Sequence, residues 1–308
     1  MHLKAHRYFA KVAATGSFSA TARHFKVPAS SVSRFIAALE QELGQQLLYR
    51  HTRAVRLTDV GERYYAQIRA VLDLLDAADE EITGNLGRIR GLVRLNVPAA
   101  LGRLHFARLA IELQGLYPEL IIELSLNDEF IDPVEEGADI VLRVGRLEDS
   151  GLIGRLICQQ QYRVCASPAY LAAQGEPATP EALAEHACLV HRTSVGTERW
   201  HFRRPGDEQR LAVEVSGPLR SNNSEVLLQA VLAGRGIGLF PSWLLDPQSF
   251  ARGDLKPLLP DWEAALHAAP SPMHLISPEN RLRSPKVRAV WDFLLNAIGS
   301  PPYWDFPR

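Results

Sequence analysis

Along the first sixty residues the apolar positions recur at helical spacing and are cut by turn residues. Leu3, Phe9, Val12 and Ala13 share one helical face. Gly16 stops that helix, because glycine reaches the left-handed conformation without a Cβ penalty. Ser17 or Ser19 can cap a second helix holding Ala20, Ala22 and Phe25. After a turn at Lys26-Val27-Pro28, a third helix starts near Pro28 or Ala29 and runs to Leu43, with Val32, Ile36, Leu39 and Leu43 inward and Gly44 at its end. From Asp59 to about Gly84 the pattern lengthens. Tyr64, Ile68, Val71, Leu75, Ala78 and Ile82 alternate steps of four and three, a heptad seam of nearly three repeats. About 25 residues at ~1.5 Å each make a rod near 38 Å. Such a seam must be covered. A second copy of the helix does this most simply, giving a two-fold dimer; packing on the chain's own body is the alternative.

A break at Thr83-Gly-Asn-Leu-Gly87 places a hinge at about residues 84–91. Strands and helices then alternate. Strands are predicted at 92–97, 120–126 and 140–144, and near 152–158, 162–166, 188–191, 213–216, 237–240 and 273–276. Helices are predicted at about 101–116 and near 168–174, 180–185, 224–233, 241–246 and 284–298. Such alternation predicts open, mostly parallel sheets covered by helices.

Charge sharpens the division. The chain has 34 basic and 35 acidic side chains, yet residues 1–58 hold nine basic ones against Glu40 and Glu42. A head of charge +7 therefore sits on a body of −8, which points to phosphate at one end. At 308 residues the chain is too long for one core. No apolar run approaches the ~20 residues that span a bilayer. The start is interrupted by Lys4, His6, Arg7 and Lys11, unlike a signal peptide. Cys158, Cys165 and Cys188 lack CxxC spacing and read as three buried thiols. A cytoplasmic protein with no membrane partner is expected.

The head reads as a helix-turn-helix, whose second element enters the major groove. Ser30, Ser31, Ser33 and Arg34 are the candidate base readers: short hydroxyls donate or accept, and Arg can bind guanine in a fork. Arg50, Arg53 and Arg56 surround a predicted two-stranded wing and suit phosphate contact.

Phe9-x-x-Val12, Gly16-Ser-Phe-Ser19, Val32-Ser-Arg34, Leu39-Glu40, Leu43-Gly44, Arg50, Arg53 and Leu57-Thr58-x-x-Gly61 together resemble the winged helix-turn-helix of LysR-type transcriptional regulators. The family usually has Ser-Gln where this chain has Pro28-Ala29, so a capping hydroxyl and an adenine-reading amide are lost; Phe35 stands where a polar residue is common. The resemblance continues through Gly137-Ala-Asp-Ile140, Arg143-Val-Gly145, Ala166-Ser-Pro-Ala-Tyr-Leu171, Pro180-x-x-Leu183, His186, Trp200, Ala233-Gly-Arg-Gly-Ile-Gly238 and Pro241. It implies an all-α winged helix-turn-helix head (1–58), a long linker and dimerisation helix (59–87), and a two-lobed α/β periplasmic-binding-like effector domain (88–308). Lobe one would be 91–162 plus 267–308, and lobe two 163–266. The implied partners are double-stranded promoter DNA, a small-molecule effector, further copies of the chain as dimer or tetramer, and RNA polymerase.

Open α/β sheets bind ligands beyond the carboxyl ends of their strands. That rule and the family pattern single out Ala99, Ala100, Leu101, Arg143, Gly145, Arg192, Thr193, Asn222, Asn223, Phe240 and Pro241 around an interlobe cleft. Arg143 is either an anion clamp or a partner for Glu148. Asn222, Asn223 and Ser224 precede a helix and either hold a carboxylate or cap that helix. Ala99 and Ala100 make one wall more apolar, favouring a hydrophobic or aromatic effector. GxSxG, HExxH and phosphate-loop motifs are absent from the sequence, and no catalysis, cofactor or metal is expected. His2 and His6 read as an exposed pair. The tail Pro301-Pro-Tyr-Trp-Asp-Phe-Pro307 reads as a loosely packed end, with a docking segment as the alternative.

Overall fold

The structure is a computed structural model. It describes residues 3–51, 54–82, 89–128, 133, 136–147, 151–192 and 198–306; at 50, 51, 54, 73, 76, 77 and 79–82 only the backbone is described. Three helices open the chain, α1 (Leu3–Thr15), α2 (Phe18–Phe25) and α3 (Ala29–Leu43), followed by an antiparallel wing of β1 (Leu48–His51) and β2 (Ala54–Leu57). Ser17 Oγ caps α2 by accepting from Ala20 N at 3.2 Å. Pro28 precedes α3 with no side-chain cap; its carbonyl accepts from Ser31 N at 3.0 Å. Phe9, Val12, Val32, Ile36, Leu39, Leu47 and Leu48 form the head's core. His6 lies in the same interior at 3% exposure, not in solvent as its position in the sequence suggested.

The wing is tied to the helices by Glu40, whose Oε1 accepts from Leu47 N and Leu48 N at 2.9 and 3.1 Å. Thr58 Oγ1 donates to Gln46 O at 2.7 Å and accepts from Gly61 N at 3.0 Å, starting the long helix α4 (Asp59–Ile82). Only glycine fits at 61, where a Cβ would stand 2.0 Å from Leu47 O.

The predicted seam on α4 divides. Tyr64 and Ile68 turn into the head, with Tyr64 5.7 Å from the Phe9 ring, because the helix must first anchor the domain it leaves. Val71 and Ala78 are exposed and Leu75 is half-exposed; the side chain of Ile82 lies outside the described residues. A different face, Ala66, Arg69, Ala70 and Leu72, is buried. There Arg69 pairs with the fully buried Asp139 and donates to Leu92 O at 3.3 Å. Arg281 donates to Ala66 O and stands 3.5 Å from Asp139 Oδ1. One face of the linker is therefore packed on the body.

The first α/β unit contains β3 (Gly91–Val97), α5 (Ala99–Leu101), a π turn (Gly102–Phe106), α6 (Ala107–Leu116), β4 (Leu120–Leu126), β5 (Ile140–Val144) and β6 (Leu152–Gln159). The second contains β7 (Tyr162–Ala166), α7 (Pro168–Gln174), a 3₁₀ turn (Pro180–Glu185), β8 (Cys188–His191), β9 (Arg199–Arg203), β10 (Leu211–Glu214), β11 (Arg220–Ser221), α8 (Ser224–Leu232) and β12 (Ile237–Pro241). It continues through a 3₁₀ turn (Ser242–Leu244), α9 (Pro247–Ala251), β13 (Lys256–Leu258) and β14 (Glu263–Ala265). The chain then returns to the first unit as β15 (Pro272–Pro278), α10 (Glu279–Leu282) and α11 (Pro285–Ile298).

The first sheet has the order β4-β3-β5-β15-β6, with β3, β4 and β5 parallel and β15 antiparallel to both neighbours. The second runs β10-β9-β14-β7-β12-β8-β11, with β13 also on β7; only β12, β8 and β11 run parallel. Mostly parallel sheets were expected. The antiparallel members come from the strands next to the two crossings and from the β9–β10 hairpin. Each sheet has its own core, one around Phe106, Leu275 and Trp291, the other around Trp200, Phe202 and Ile237.

The C-terminal tail is docked, not loose. Trp304 is buried at 5% exposure; Asp305 Oδ1 accepts from Ser242 Oγ at 2.6 Å; Phe306 O accepts from Arg163 at 2.9 Å. The tail thus leaves the first unit and, through Asp305 and Phe306, contacts the second.

Candidate nucleic-acid interface and interlobe cleft

On the head, Ser30 and Arg34 are exposed one helical turn apart on α3, with Ser31 and Ser33 half-buried beside them. The Arg34 guanidinium stands 5.9 Å from the Phe35 ring centroid. Phe35 is in turn held edge-on against Tyr8 at 5.5 Å. The aromatic side chain that departs from the family pattern therefore backs the candidate base reader. Arg56 is exposed on β2. The Arg50 side chain and all of Arg53 lie outside the described residues.

Between the two α/β units lies a cavity of about 380 Å³. Ala100, Leu101, Arg143, Asn222, Asn223 and Pro241 line it, as the sequence predicted. Four other predicted positions do not. Phe240 is buried in the core beside Val231 and Leu244, because consecutive strand residues face opposite ways and Pro241 takes the cleft side. Arg192 is exposed for the same reason, leaving His191 on the cleft. Ala99 sits at the helix start, its N–H donating to Asp128 Oδ1 at 2.8 Å. Gly145 turns the chain at φ 116°, its N–H donating to Pro272 O. Thr193 and Glu148 lie outside the described residues.

The sequence missed most of the polar lining: Asn96, Asn127, Asp128, Gln160, His191 and His267. These come from strand ends and crossings far apart in the chain, and only the strand-end rule could have raised them. Asn223 is the helix cap, its Oδ1 accepting from Val226 N at 3.0 Å. Burial pushes the His191 imidazole below its ordinary value, opposed by the Asn222 backbone and Asp128 and aided by His267, so it is mainly neutral near pH 7. Among the described lining residues, Arg143 supplies a fixed positive charge on the cleft wall. The apolar part of the wall comes from Pro98, Ala100, Leu101, Val141, Val144 and Leu266.

Contacts across the cleft hold the units together. Arg103 of the π turn pairs with Glu225 of α8. Trp243 Nε1 donates to Gln160 Oε1 at 2.8 Å. The Trp243 carbonyl lies 2.8 Å from His105 Nε2, so that nitrogen carries the proton, and the Tyr303 hydroxyl donates to Nδ1 at 2.8 Å.

A charged winged helix-turn-helix joined by a long helix to two α/β units around a cavity defines a class: a DNA-binding regulator with its own ligand-binding domain. The chain belongs to the LysR family of transcriptional regulators. Residues 3–62 match the bacterial regulatory helix-turn-helix of the lysR family, and residues 86–299 match the LysR substrate binding domain. It is 31% identical over 290 residues to the probable transcriptional regulator LtrA of Klebsiella pneumoniae, covering 94% of this chain and 93% of that one. It superimposes on the full-length virulence activator AphB of Vibrio cholerae with a TM-score of 0.58 at 29% identity, covering 96% of this chain and 99% of that one. CrgA of Neisseria meningitidis gives 0.56 at 29% identity, with 95% and 99% covered.

Proposed function

We propose that the protein acts in the cytoplasm as a non-catalytic regulator that binds promoter DNA as a homo-oligomer and takes a small carboxylate in the interlobe cleft. The reading of the DNA interface rests on Ser30, Ser31, Ser33 and Arg34 along α3, with Arg50 and Arg56 of the wing strands, and Arg53 between them in sequence, for phosphate. The exposed Val71 and Ala78 and the half-exposed Leu75 of α4 supply the apolar surface for a second copy.

The observation that carries the ligand reading is the placement of Arg143 and the N-terminal end of α8 on one cavity, whose wall also has an apolar part made by Pro98, Ala100, Leu101, Val141, Val144 and Leu266. A helix start favours negative charge. Arginine binds carboxylate in a fork, and the apolar wall suits the ligand's carbon skeleton. Near-neutral His191 then acts as a hydrogen-bonding group, leaving charge recognition to Arg143. Calorimetry and thermal shift on the full chain with a panel of small mono- and dicarboxylates test this. At least one acid should bind and raise the melting temperature, and Arg143→Gln should weaken it by about 10- to 100-fold, the worth of a charge-assisted hydrogen bond. Binding unchanged in Arg143→Gln, or no acid bound at all, would remove the carboxylate reading.

A further inference from the structure

A second cavity, of about 170 Å³, lies on the far side of Tyr162 from the cleft. Tyr162 lines both spaces. Three aromatic rings from separate stretches of chain meet around the second one: Phe250 of α9, Trp262 before β14, and Phe306 of the docked tail. Val164, Leu258 and Ala264 add aliphatic carbon to the wall. Phe250 and Phe306 stand 6.0 Å apart, centre to centre. The wall also contains Leu259, held in the left-handed region at φ 53° although it is not glycine. A branched side chain adopts that conformation at an energetic cost, and its neighbours must hold it there.

We propose that this cavity is a second ligand site, for a compact, uncharged, single-ring aromatic molecule. Size sets the first limit, since a cavity of roughly 150 Å³ in a protein interior holds one benzene ring. The aromatic walls set the second, because rings pack edge-to-face or offset against one another. Charge sets the third. Arg163 lines the cavity at 7% exposure, and its guanidinium donates to Tyr162 O, Gln161 Oε1 and Phe306 O at 3.3, 3.2 and 2.9 Å. Those bonds fasten the tail and the crossing strand, so Arg163 builds the wall. A carboxylate entering among the apolar carbons would be desolvated there. The two sites thus differ in chemistry: acid in the cleft, neutral ring behind Tyr162.

Bromobenzene is the probe. In crystals of the full-length protein exposed to its vapour, the bromine should give an anomalous peak between Phe250, Trp262 and Phe306. In solution it should quench tryptophan fluorescence saturably, and the saturable part should disappear in Trp262→Phe. Ala264→Phe fills the space and should abolish both signals; an unchanged circular dichroism spectrum confirms that this variant folds. 4-Bromobenzoate should give no peak at this position. No peak in the wild-type crystal overturns the site without recourse to any variant. Quenching that persists in a folded Ala264→Phe protein also overturns it, and occupancy by 4-bromobenzoate overturns the uncharged class.

Discussion

Phe35 replaces a commonly polar residue on the helix proposed to read DNA, and the structure gives it a physical role. Its ring lies between Tyr8 in the head core and the Arg34 guanidinium at the surface. A cation over an aromatic face gains ~0.5–1 kcal/mol at an exposed site, enough to bias Arg34 toward one rotamer before DNA arrives. Arg34→Ala is expected to weaken operator binding by roughly 5- to 150-fold, the range of one good base contact, and to leave random-sequence binding nearly unchanged. Equal losses on both DNAs in a binding assay would reassign Arg34 to the phosphates. Phe35→Leu keeps apolar bulk and removes the ring, so it should lower operator affinity in the same direction but by less. The sequence singles out Arg34 as a candidate because its residue type can carry the chemistry. It misplaced Phe240 and Arg192 because which side of a strand faces a cleft depends on register, and a slip of one residue reverses it.

At the scale of elements, the joint between α4 and the body is where head and cleft come nearest to a shared part. Asp139 is fully buried, pairs with Arg69 of the linker helix and lies 3.5 Å from Arg281. Its Oδ2 also accepts from Arg94 N at 2.8 Å. β5 starts at the next residue and carries Arg143 to the cleft. Removing one partner of a buried ion pair leaves charge uncompensated and costs about 3–5 kcal/mol. Asp139→Asn should therefore lower the denaturation midpoint markedly, whereas Glu123→Gln, at the exposed Arg94–Glu123 pair, should shift it by less than ~1 kcal/mol. Similar shifts in the two variants would show that the joint holds little. The outer face makes a separate claim: Leu75→Asp should lower the sedimenting mass toward monomer, and an unchanged mass would remove the seam from the dimer interface.

Elements themselves were the most legible part of the chain. The predicted helix at 168–174 and strands at 120–126, 140–144, 162–166 and 188–191 match the structure residue for residue. Their apolar runs and flanking turn residues are strong local signals. The strands at 199–203, 220–221, 256–258 and 263–265 were missed. The sheet around them defines them more than their own sequence does: β14, for example, is held between β7 and β9. The docked tail was missed for the same reason, since its partners His105, Arg163 and Ser242 lie more than sixty residues away.

For the molecule as a whole, acidity is the condition most directly coupled to these contacts. Burial holds His24, His105, His191, His201 and His274 below their ordinary value of 6.5; a neighbouring cation adds to this at His24, His105 and His201, as does His267 at His191 and His201. In each case the unfolded chain takes up a proton at a pH where the folded protein does not. Stability contributed by the neutral imidazoles is thus intact above about pH 6.5 and declines as the pH falls toward the folded values. His105 gives this a structural consequence. Protonation puts a hydrogen on Nδ1, and the Tyr303 hydroxyl can no longer donate there. Arg108, whose guanidinium lies 5.1 Å from the Tyr303 ring centroid, adds repulsion to the new charge. The tail should therefore loosen from the first unit as the imidazole charges. Melting scans from about pH 8 to about pH 5 should show a plateau and then a fall below about pH 6.5. His105→Gln, which can still donate to the Trp243 carbonyl, should melt lower at neutral pH and fall less steeply in acid. A wild-type melting temperature that rises on acidification would reverse the sign of the argument. A His105→Gln curve parallel to wild type would locate the acid sensitivity in the other four histidines and leave the tail uncoupled from pH.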